Sequence, residues 1–258
     1  MMRLASEGLE RIHSNLMRDP YSHLFHLADL DEPYVENTRW FVRGEKGSIA
    51  ALALLYTWPE TPVLQLIEPN NPEAVPLLED VLPALPTKVY CQISDGLVPV
   101  LERAFKIESL HPFVRMKWTG NGRRPIIQLE GEEPIRLTWK HEDAIHSFFP
   151  EVWFERRMLQ EGRYFGIFDG ETLVSMAGTP VFSNRYGVAI IGGVGTVESH
   201  RGRGLAARVV TALVSELKGK VPYLGLNVRS DNAPAIRCYE NCGFVKHAEH
   251  WECMGERR

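Results

Sequence analysis

The most informative segment of this sequence runs from Val194 to Ala207 and reads VGTVESHRGRGLAA. An apolar strand pattern leads into glycines that alternate with Arg201 and Arg203, and an amphipathic helix pattern follows from Leu205 to Leu217. Glycines allow the backbone to turn its N–H groups inward, and a helix N-terminus carries about half a positive charge. Together with the two arginines, these features predict a binding site for a phosphate or diphosphate group.

Two well-known phosphate-binding patterns fit this segment poorly. A P-loop requires Gly-Lys-Ser or Gly-Lys-Thr, which the segment lacks. Gly202, Gly204 and Ala207 satisfy the dinucleotide pattern G-x-G-x-x-A, but that motif opens a fold in which several strand-helix units are still to come. Only one such unit follows here, so an NAD-dependent enzyme is the weaker interpretation.

A third phosphate-binding pattern fits better. Arg201, Gly204 and Ala206 match the loop R/Q-x-x-G-x-G/A of the GCN5-related N-acetyltransferase (GNAT) family, which this segment resembles. The stretch from Asn227 to Phe244 is similar to the last strand and helix of the same family. Two motifs at the right separation make the resemblance specific, and it covers the second half of the chain.

The resemblance implies an α/β fold in which helices flank a central mixed sheet with splayed central strands. Acetyl-CoA, or another acyl-CoA, would bind between those strands as a co-substrate. Asn232 and Tyr239 are seven residues apart, about two helical turns, and therefore share one helix face near the ligand. The cofactor-binding residues that the resemblance implies are Val194, Gly195, Thr196, Val197, Arg201, Gly202, Arg203, Gly204, Leu205, Ala206, Asn232 and Tyr239.

The implied reaction is direct attack of an amine on the thioester, without a covalent acyl-enzyme. A backbone N–H near Thr196 or Val197 would polarise the carbonyl oxygen. Tyr239 matches the family position of the general acid. Several relatives carry a glutamate where this chain has Asn227, and an amide cannot take a proton.

The nearest carboxylate in the sequence is Glu198, which is our candidate for the catalytic base. A water chain to Glu198 or to His200 stays open as a route for the proton. The altered base position also leaves open an alternative function, a non-catalytic acyl-CoA sensor or interaction module.

The acceptor pocket is implied to lie at the segment from Phe148 to Glu155, which reads FFPEVWFE. Aromatic rings and carboxylates suit an organic ammonium group through cation–π and charge contacts. We therefore expect a primary amine of a small molecule as the acceptor, while a peptide or protein acceptor stays open.

The first half of the chain has a similar order of elements without the same chemistry. Leu64–Leu77 aligns with Val194–Ala207 without a gap, but Asn71 to Ala74 (NPEA) replaces the arginine-glycine loop. A proline and a glutamate disfavour a diphosphate at a helix start. We predict a degenerate GNAT-like domain over residues 1–130 and a catalytic domain over residues 133–258, joined by a short charged linker.

Periodicity outside these segments also predicts alternating strands and helices. Strand patterns cover Ile49 to Thr57 and Phe113 to Trp118, and a helix pattern covers Leu97 to Phe105. A strand pattern from Val245 to Met254 closes the chain. The alternation predicts α/β structure in both halves.

Composition excludes several classes of protein and partner. The 258 residues carry a net charge of −4 without a basic arm, which argues against a nucleic-acid partner. The longest apolar stretch, Ile49 to Tyr56, is far shorter than the ~20 residues of a membrane span, and the N-terminus lacks a secretory signal pattern. We expect a cytoplasmic monomer or homodimer.

The cysteines and C-terminal histidines indicate neither disulfides nor a metal site. Cys238 and Cys242 share a helix face at a spacing too wide for a disulfide and are expected to be core thiols. His247 and His250 lie on the closing strand without a third ligand nearby, so we expect ordinary surface or edge histidines and no metal.

Overall fold

The protein is represented by a computed structural model that describes residues 6–45, 48–121, 133–150, 158–159 and 163–258. Most of the linker predicted around residues 131–133 lies outside these ranges. The chain forms two compact units. The first unit comprises Met1–Arg115, Arg229–Asp231 and His247–Arg258, and the second comprises Met116–Val228 and Asn232–Lys246. None of the helices in the described ranges has the length and hydrophobicity of a transmembrane span.

The first unit is built around a mixed sheet, which contains both antiparallel and parallel strand pairs. Its elements are α1 (Ser6–Leu16), α2 (Leu24–Ala28), β1 (Thr38–Arg43), β2 (Ala51–Tyr56), β3 (Val63–Leu66), α3 (Ala74–Val81), β4 (Lys88–Ile93), α4 (Val98–Leu101) and β5 (Phe105–Trp118). Strands β1, β2 and β3 pair antiparallel, and β3 pairs parallel with β4. Leu77 and Leu78 of α3 belong to the same buried cluster as Cys91 and Ile93 of β4, so one face of the sheet forms an apolar core.

The second unit has a similar order of strand pairing, and the first strand of its parallel pair is longer than β3. Its elements are β6 (Ile135–Arg136), α5 (Glu142–Phe148), β7 (Tyr164–Asp169), β8 (Thr172–Ser183), β9 (Val188–Thr196), α6 (Leu205–Leu217), β10 (Tyr223–Arg229) and α7 (Ala233–Asn241). Strands β6 to β9 pair antiparallel in chain order, and β9 pairs parallel with β10. The helix predicted over Leu205–Leu217 is confirmed to the residue, with Val210, Leu213 and Leu217 buried along one stripe.

Strands β9 and β10 diverge before β9 ends. Their paired register runs from Tyr223↔Val188 to Leu226↔Ile191, whereas β9 continues beside β8 as far as Thr196. Between the pairs Met176↔Gly195 and Gly178↔Gly192, β9 carries one extra residue, and Gly193 there has a φ of 57°. A bulge of this kind needs a left-handed residue and bends its strand. The mixed α/β fold with splayed central strands, which the sequence predicts, is present in this unit.

The last strand, β11 (Phe244–Arg257), belongs largely to the first unit. It pairs antiparallel with β4, for example Trp251 with Ile93 and Glu252 with Gln92. A simple division of the chain near residue 130 therefore does not describe the two compact units, because strand pairing returns the C-terminus to the first of them. That the first unit is a degenerate copy of the second stays a prediction.

The helix predicted over Leu97 to Phe105 is wrong. Only Val98–Leu101 is helical, and β5 begins at Phe105, eight residues before the strand pattern at Phe113 suggests. Phe105 is fully buried in the apolar core of the first unit. Burial of this ring in the sheet outweighs the local helical periodicity.

A row of buried polar side chains crosses the other face of the first unit's sheet. Gln65 on β3 is the register partner of Gln92 on β4, which is in turn the partner of Glu252 on β11. Directly paired residues on neighbouring strands present their side chains to the same face. We call Gln65, Gln92 and Glu252 the polar row. Each of the three is buried.

Donors surround the Glu252 carboxylate at one end of the polar row. It accepts hydrogen bonds from Gln92 Nε2 at 3.3 Å, from His250 Nε2 at 3.0 Å and from the Tyr90 hydroxyl. His250 is only 2% exposed, so the expectation of a surface or edge histidine is wrong at this position. At the other end, Gln65 Nε2 donates to Asp29 Oδ2 at 3.3 Å.

We expect stability to depend on the ionisation of Asp29. Burial raises the pKa of its carboxyl from 3.8 to about 7. Below pH 3.8 both the folded and unfolded states are protonated; between pH 3.8 and 7 only the unfolded state ionises, so stability falls as the pH rises. Asp29→Asn cannot ionise and should gain roughly 4 kcal/mol over the wild type across that window.

Chemical denaturation at pH 4 and pH 8 measures this gain. The control is Asp95→Asn, in which an exposed carboxylate that accepts from Trp251 Nε1 becomes an amide that still accepts. A gain for Asp29→Asn that is the same at both pH values, or that Asp95→Asn reproduces, would contradict a buried neutral carboxyl at Asp29.

Candidate active site

A cavity of about 890 Å³ lies within the second unit, beside the end of β9. Its walls come from the end of β9, the following loop, the first turn of α6, one face of α7 and the aromatic pair at the end of α5. Of the predicted cofactor-binding residues, those that line it are Val194, Gly195, Thr196, Val197, Arg201, Gly202, Gly204, Leu205, Ala206, Asn232 and Tyr239. The structure thus brings together residues from two motifs more than twenty positions apart.

The end of β9 presents one backbone amide to the opened side of the strand. Val197 donates its N–H to Val174 O at 2.9 Å, so the neighbouring pair Ser175↔Thr196 is of the non-hydrogen-bonded type. The N–H and C=O of Thr196 therefore point away from β8. Two backbone amides are predicted to polarise a carbonyl oxygen. The prediction is wrong for Val197, because its N–H is bonded to Val174 O, whereas the N–H of Thr196 is available.

The loop after β9 turns on two left-handed glycines. Gly202 has a φ of 78° and Gly204, the N-cap of α6, has a φ of 76°. No side chain caps α6, so its first N–H groups are left to face the cavity. Arg201 folds back onto β9, where its Nε donates to Thr196 O at 3.3 Å. This loop combines a helix N-terminus with a cation, which suits an anionic group.

Arg203 is exposed and lies outside the cavity walls, unlike the other predicted residues of the loop. His200, which does line the cavity, anchors the loop to the end of β7. Its Nε2 lies 2.9 Å from Asp169 Oδ2, and its Nδ1 lies 2.9 Å from Ser199 Oγ. His200 thereby links the loop to Asp169 on β7 and to its own neighbour Ser199.

Helix α7 forms the opposite wall. Asn232 caps the helix, since its Oδ1 accepts from Ala235 N at 3.2 Å. The amide nitrogen of its side chain is therefore the group available to donate to a ligand. Tyr239 is 8% exposed, and burial raises the pKa of its phenol well above 10. The hydroxyl of Tyr239 thus keeps its proton at neutral pH.

Sequence analysis missed other members of this wall. Arg237 and Cys238 also line the cavity, so Cys238 is not simply a core thiol. Both lie on the helix face that Pro234 begins, at the third and fourth residues after it, which is the periodic signal that points to them. Arg237 is a second cationic side chain of the cavity walls, in addition to Arg201.

Glu198, the predicted base, is exposed on the turn after β9 and lies outside the cavity walls. Among the described residues that line the cavity there is no aspartate or glutamate. The predicted acceptor segment beyond Pro150 lies outside the described part of the chain. Among the described residues, no cluster of metal-ligating side chains is found.

Two phenylalanines close the cavity against the end of β9. Phe148 and Phe149 are in edge contact, with ring centroids 4.6 Å apart, and both line the cavity. A Cβ atom at Gly195 would stand 2.6 Å from Phe149 Cζ and 3.0 Å from Phe148 Cε1. Glycine is therefore required at position 195 for the rings to approach the strand.

We expect Gly195→Ala to destabilise the protein by about 1 to 3 kcal/mol because its methyl group overpacks this contact. Adding Phe149→Leu removes the ring tip and should recover part of the loss. A double-mutant cycle followed by urea denaturation measures the coupling. Gly219→Ala, where a Cβ meets open space, is the matched control. Strictly additive effects of Gly195→Ala and Phe149→Leu would show that the rings do not meet this strand.

The loop after β3 in the first unit is closed by its own side chains. Glu68 follows β3, and its carboxylate accepts from Leu52 N and from Asn71 Nδ2, both at 3.0 Å. The N–H of Glu68 donates to Ser94 Oγ at 2.7 Å. A carboxylate that occupies the turn between strand and helix would repel a diphosphate.

Comparisons with known proteins match this description. Residues 128–244 match the acetyltransferase (GNAT) family. No curated protein is similar to this chain at a significant level. A GNAT-family protein of Novosphingobium aromaticivorans superposes with a TM-score of 0.62 at 18% identity, over 93% of this chain and 99% of that one. A Drosophila protein gives a TM-score of 0.71 at 11% identity, over 98% and 97%.

A tandem GNAT protein from the clavulanic acid biosynthesis pathway is also similar, with a TM-score of 0.53 at 12% identity over 98% of this chain and 97% of that one. At these identities the likeness shows the fold. The splayed mixed sheet and the glycine-rich start of α6 place this unit in the α/β class of folds. The domain over residues 128–244 belongs to the acetyltransferase (GNAT) family.

Proposed function

We propose that the second unit transfers an acetyl group from acetyl-CoA to a primary amine of a small molecule by direct attack. The observation that carries this proposal is the convergence of three elements on one cavity: the end of β9, the uncapped start of α6 and the Tyr239 face of α7. A helix N-terminus and two arginines suit the diphosphate of CoA, and no described wall residue carries a negative charge.

The residues would hold the co-substrate as follows. The N–H groups at the start of α6, together with Arg201, bind the diphosphate, and Arg203 adds positive charge from the outer side of the loop. The opened side of β9 between Val194 and Thr196 pairs with the amides of the pantetheine arm as an added strand would. Asn232 donates from its side-chain nitrogen, because its oxygen caps α7.

Bound acetyl-CoA supplies an activated acyl carbon in its thioester. The N–H of Thr196 polarises a carbonyl oxygen placed in the opened side of β9. Tyr239 donates a hydrogen bond to the departing sulfur; its raised pKa makes it a persistent donor and a weak acid. The amine acceptor enters beside Phe148 and Phe149.

Proton removal from the amine is assigned to Glu198 acting through water, since Glu198 is exposed and outside the walls. Bulk water can then take over part of the proton removal when Glu198 is absent. Glu198→Gln should therefore lower turnover by about tenfold or less at neutral pH, well below the 10²- to 10⁴-fold range of a base in direct contact.

The alternative is a sensor that binds acyl-CoA without turnover, and the lack of a carboxylate in the described walls favours it. A thiol-release assay with acetyl-CoA and a panel of small primary amines separates the two functions. Acyl transfer requires amine-dependent release of CoA, and mass spectrometry should find the acetylated amine. Stabilisation by acetyl-CoA with no release across the panel would favour the sensor, and stabilisation by NAD alone would remove both.

A further inference from the structure

The peptide group between Gly195 and Thr196 projects its N–H and its C=O from opposite sides of β9. The N–H belongs to Thr196 and points to the opened side of the strand, away from β8. The C=O belongs to Gly195 and, because a peptide group is planar and trans, it points the other way, towards β8. A group that binds the Gly195 oxygen therefore acts on the same amide whose N–H faces the opened side.

Ser175 on β8 holds the oxygen end of this peptide group. Its Oγ donates to Gly195 O at 2.9 Å, and its side chain is fully buried. Ser175 lies outside the described walls of the cavity. It can therefore influence a ligand in the cavity only through β9.

A second hydroxyl completes this contact. Thr196 is the register partner of Ser175, and their hydroxyl oxygens lie 2.9 Å apart. A serine hydroxyl has one proton to donate, and a carbonyl oxygen can only accept. The Ser175 proton therefore goes to Gly195 O, and the Thr196 hydroxyl donates to Ser175 Oγ. The result is a chain of hydrogen bonds from Thr196 Oγ1 through Ser175 Oγ to Gly195 O.

This chain of hydrogen bonds acts on the N–H of Thr196 in two ways. Linked hydrogen bonds polarise one another, so a donor on the Gly195 oxygen makes the N–H of the same amide a stronger donor. The chain also fixes the orientation of that amide, while Arg201 Nε, which donates to Thr196 O at 3.3 Å, fixes the next one. A polarised donor held in place suits the negative charge that develops on a thioester oxygen during attack.

We propose that Ser175 is a positioning residue for acyl transfer, which orients and polarises the N–H of Thr196 through Gly195 O. This inference rests on the proposed function, in which that N–H binds the thioester carbonyl oxygen. Ser175 strengthens the donor without being the donor. We therefore expect its loss to lower turnover by about tenfold, less than the 10²- to 10³-fold cost of removing an oxyanion donor outright.

Infrared difference spectroscopy of bound acetyl-CoA, isotopically labelled at the thioester carbonyl carbon, tests this role without turnover. A hydrogen bond from Thr196 weakens the carbonyl bond, so the bound carbonyl should absorb at a lower frequency than that of free acetyl-CoA. Ser175→Ala should reverse part of this shift. Ser175→Cys keeps a similar volume with a weak donor and should lie between Ser175→Ala and the wild type.

Calorimetry and steady-state kinetics complete the test. In Ser175→Ala the dissociation constant of acetyl-CoA should stay within about threefold of the wild type, while kcat with a responsive amine falls about tenfold. A residue that only supports the fold would not move the carbonyl frequency and kcat together at constant affinity.

Thr179→Val is the matched control. Thr179 lies on the same strand, is 1% exposed, and its hydroxyl has no partner among the described residues. The substitution removes a buried hydroxyl from β8 without touching the chain of hydrogen bonds, so the carbonyl frequency and kcat should stay as in the wild type. Equal changes in Thr179→Val and Ser175→Ala would mean that any disturbance of β8 has this effect, and the proposal would fall.

Other results would overturn the proposal in ways that can be told apart. A carbonyl frequency and kcat in Ser175→Ala equal to those of the wild type would remove Ser175 but leave acyl transfer in place. Wild-type protein that binds acetyl-CoA without a frequency shift would remove Thr196 as the carbonyl donor, and Ser175 with it. Wild-type protein that does not bind acetyl-CoA would overturn the proposed function and this inference together. If Ser175→Ala does not fold, the comparison of Ser175→Cys with the wild type decides.

Discussion

Gly204→Glu is expected to weaken acetyl-CoA binding by about 100-fold or more, equivalent to about 2.7 kcal/mol. Gly204 is the left-handed N-cap of α6 and lines the cavity. A carboxylate at this position would neutralise the positive end of the helix and repel the diphosphate. Titration of acetyl-CoA by calorimetry measures the loss directly.

Gly96→Glu is the matched control for backbone strain. Gly96 has a φ of 83°, close to the 76° of Gly204, and lies in the first unit where a Cβ meets open space. Both variants lose stability because a left-handed conformation costs a side-chain-bearing residue about 1 to 2 kcal/mol. Only Gly204→Glu should lose acetyl-CoA. Equal affinities in the two variants would mean that the start of α6 does not hold the diphosphate.

Tyr239→Phe is expected to lower turnover by about 100-fold or more while leaving the acetyl-CoA dissociation constant within about threefold of the wild type. The substitution removes only the hydroxyl, and the ring can still pack against Phe244, with the two ring centroids 6.2 Å apart. A donor that acts on the departing sulfur works in the transition state, so its loss falls on kcat. Steady-state kinetics with a responsive amine and binding by calorimetry separate the two quantities.

Tyr223→Phe, in the same unit but outside the cavity walls, is the control for losing a tyrosine hydroxyl. If Tyr239→Phe keeps more than half of wild-type turnover, Tyr239 is a wall residue without a role in the reaction. If it loses binding and turnover together, the hydroxyl holds the ground-state complex instead. Either result would remove Tyr239 as the hydrogen-bond donor to the departing sulfur but leave the cavity as the proposed acyl-CoA site.

Local sequence was sufficient wherever one short segment carries the whole signal. The bounds of α6, the left-handed glycines before it and the N-cap at Asn232 all follow from patterns within a few residues. Helix capping and amphipathic periodicity are local interactions, and at α6 and α7 the tertiary structure does not override them. Eleven of the twelve predicted cofactor residues line the cavity.

The direction in which a group faces, in contrast, could not be predicted from its proximity in the chain to other site residues. Glu198 is two residues from Thr196 yet lies outside the cavity walls, and the amide of Val197 is consumed by Val174 on β8. Glu198 lies on the turn after β9, whereas the use of the Val197 amide depends on the antiparallel hydrogen-bonding phase between β8 and β9. That phase alternates residue by residue and is shifted by the bulge at Gly193. One residue of register decides which amide faces a ligand.

The sequence by itself determined the class of fold, the family of the second half and the position of the glycine-rich loop, because each rests on residues close together in the chain. Only the tertiary structure decided that β11 pairs with β4 and that Gln65, Gln92 and Glu252 form one row. Those residues are separated by up to 187 positions, since 252 − 65 = 187. Strand pairing is a long-range interaction set by burial and register, and no local periodicity records it.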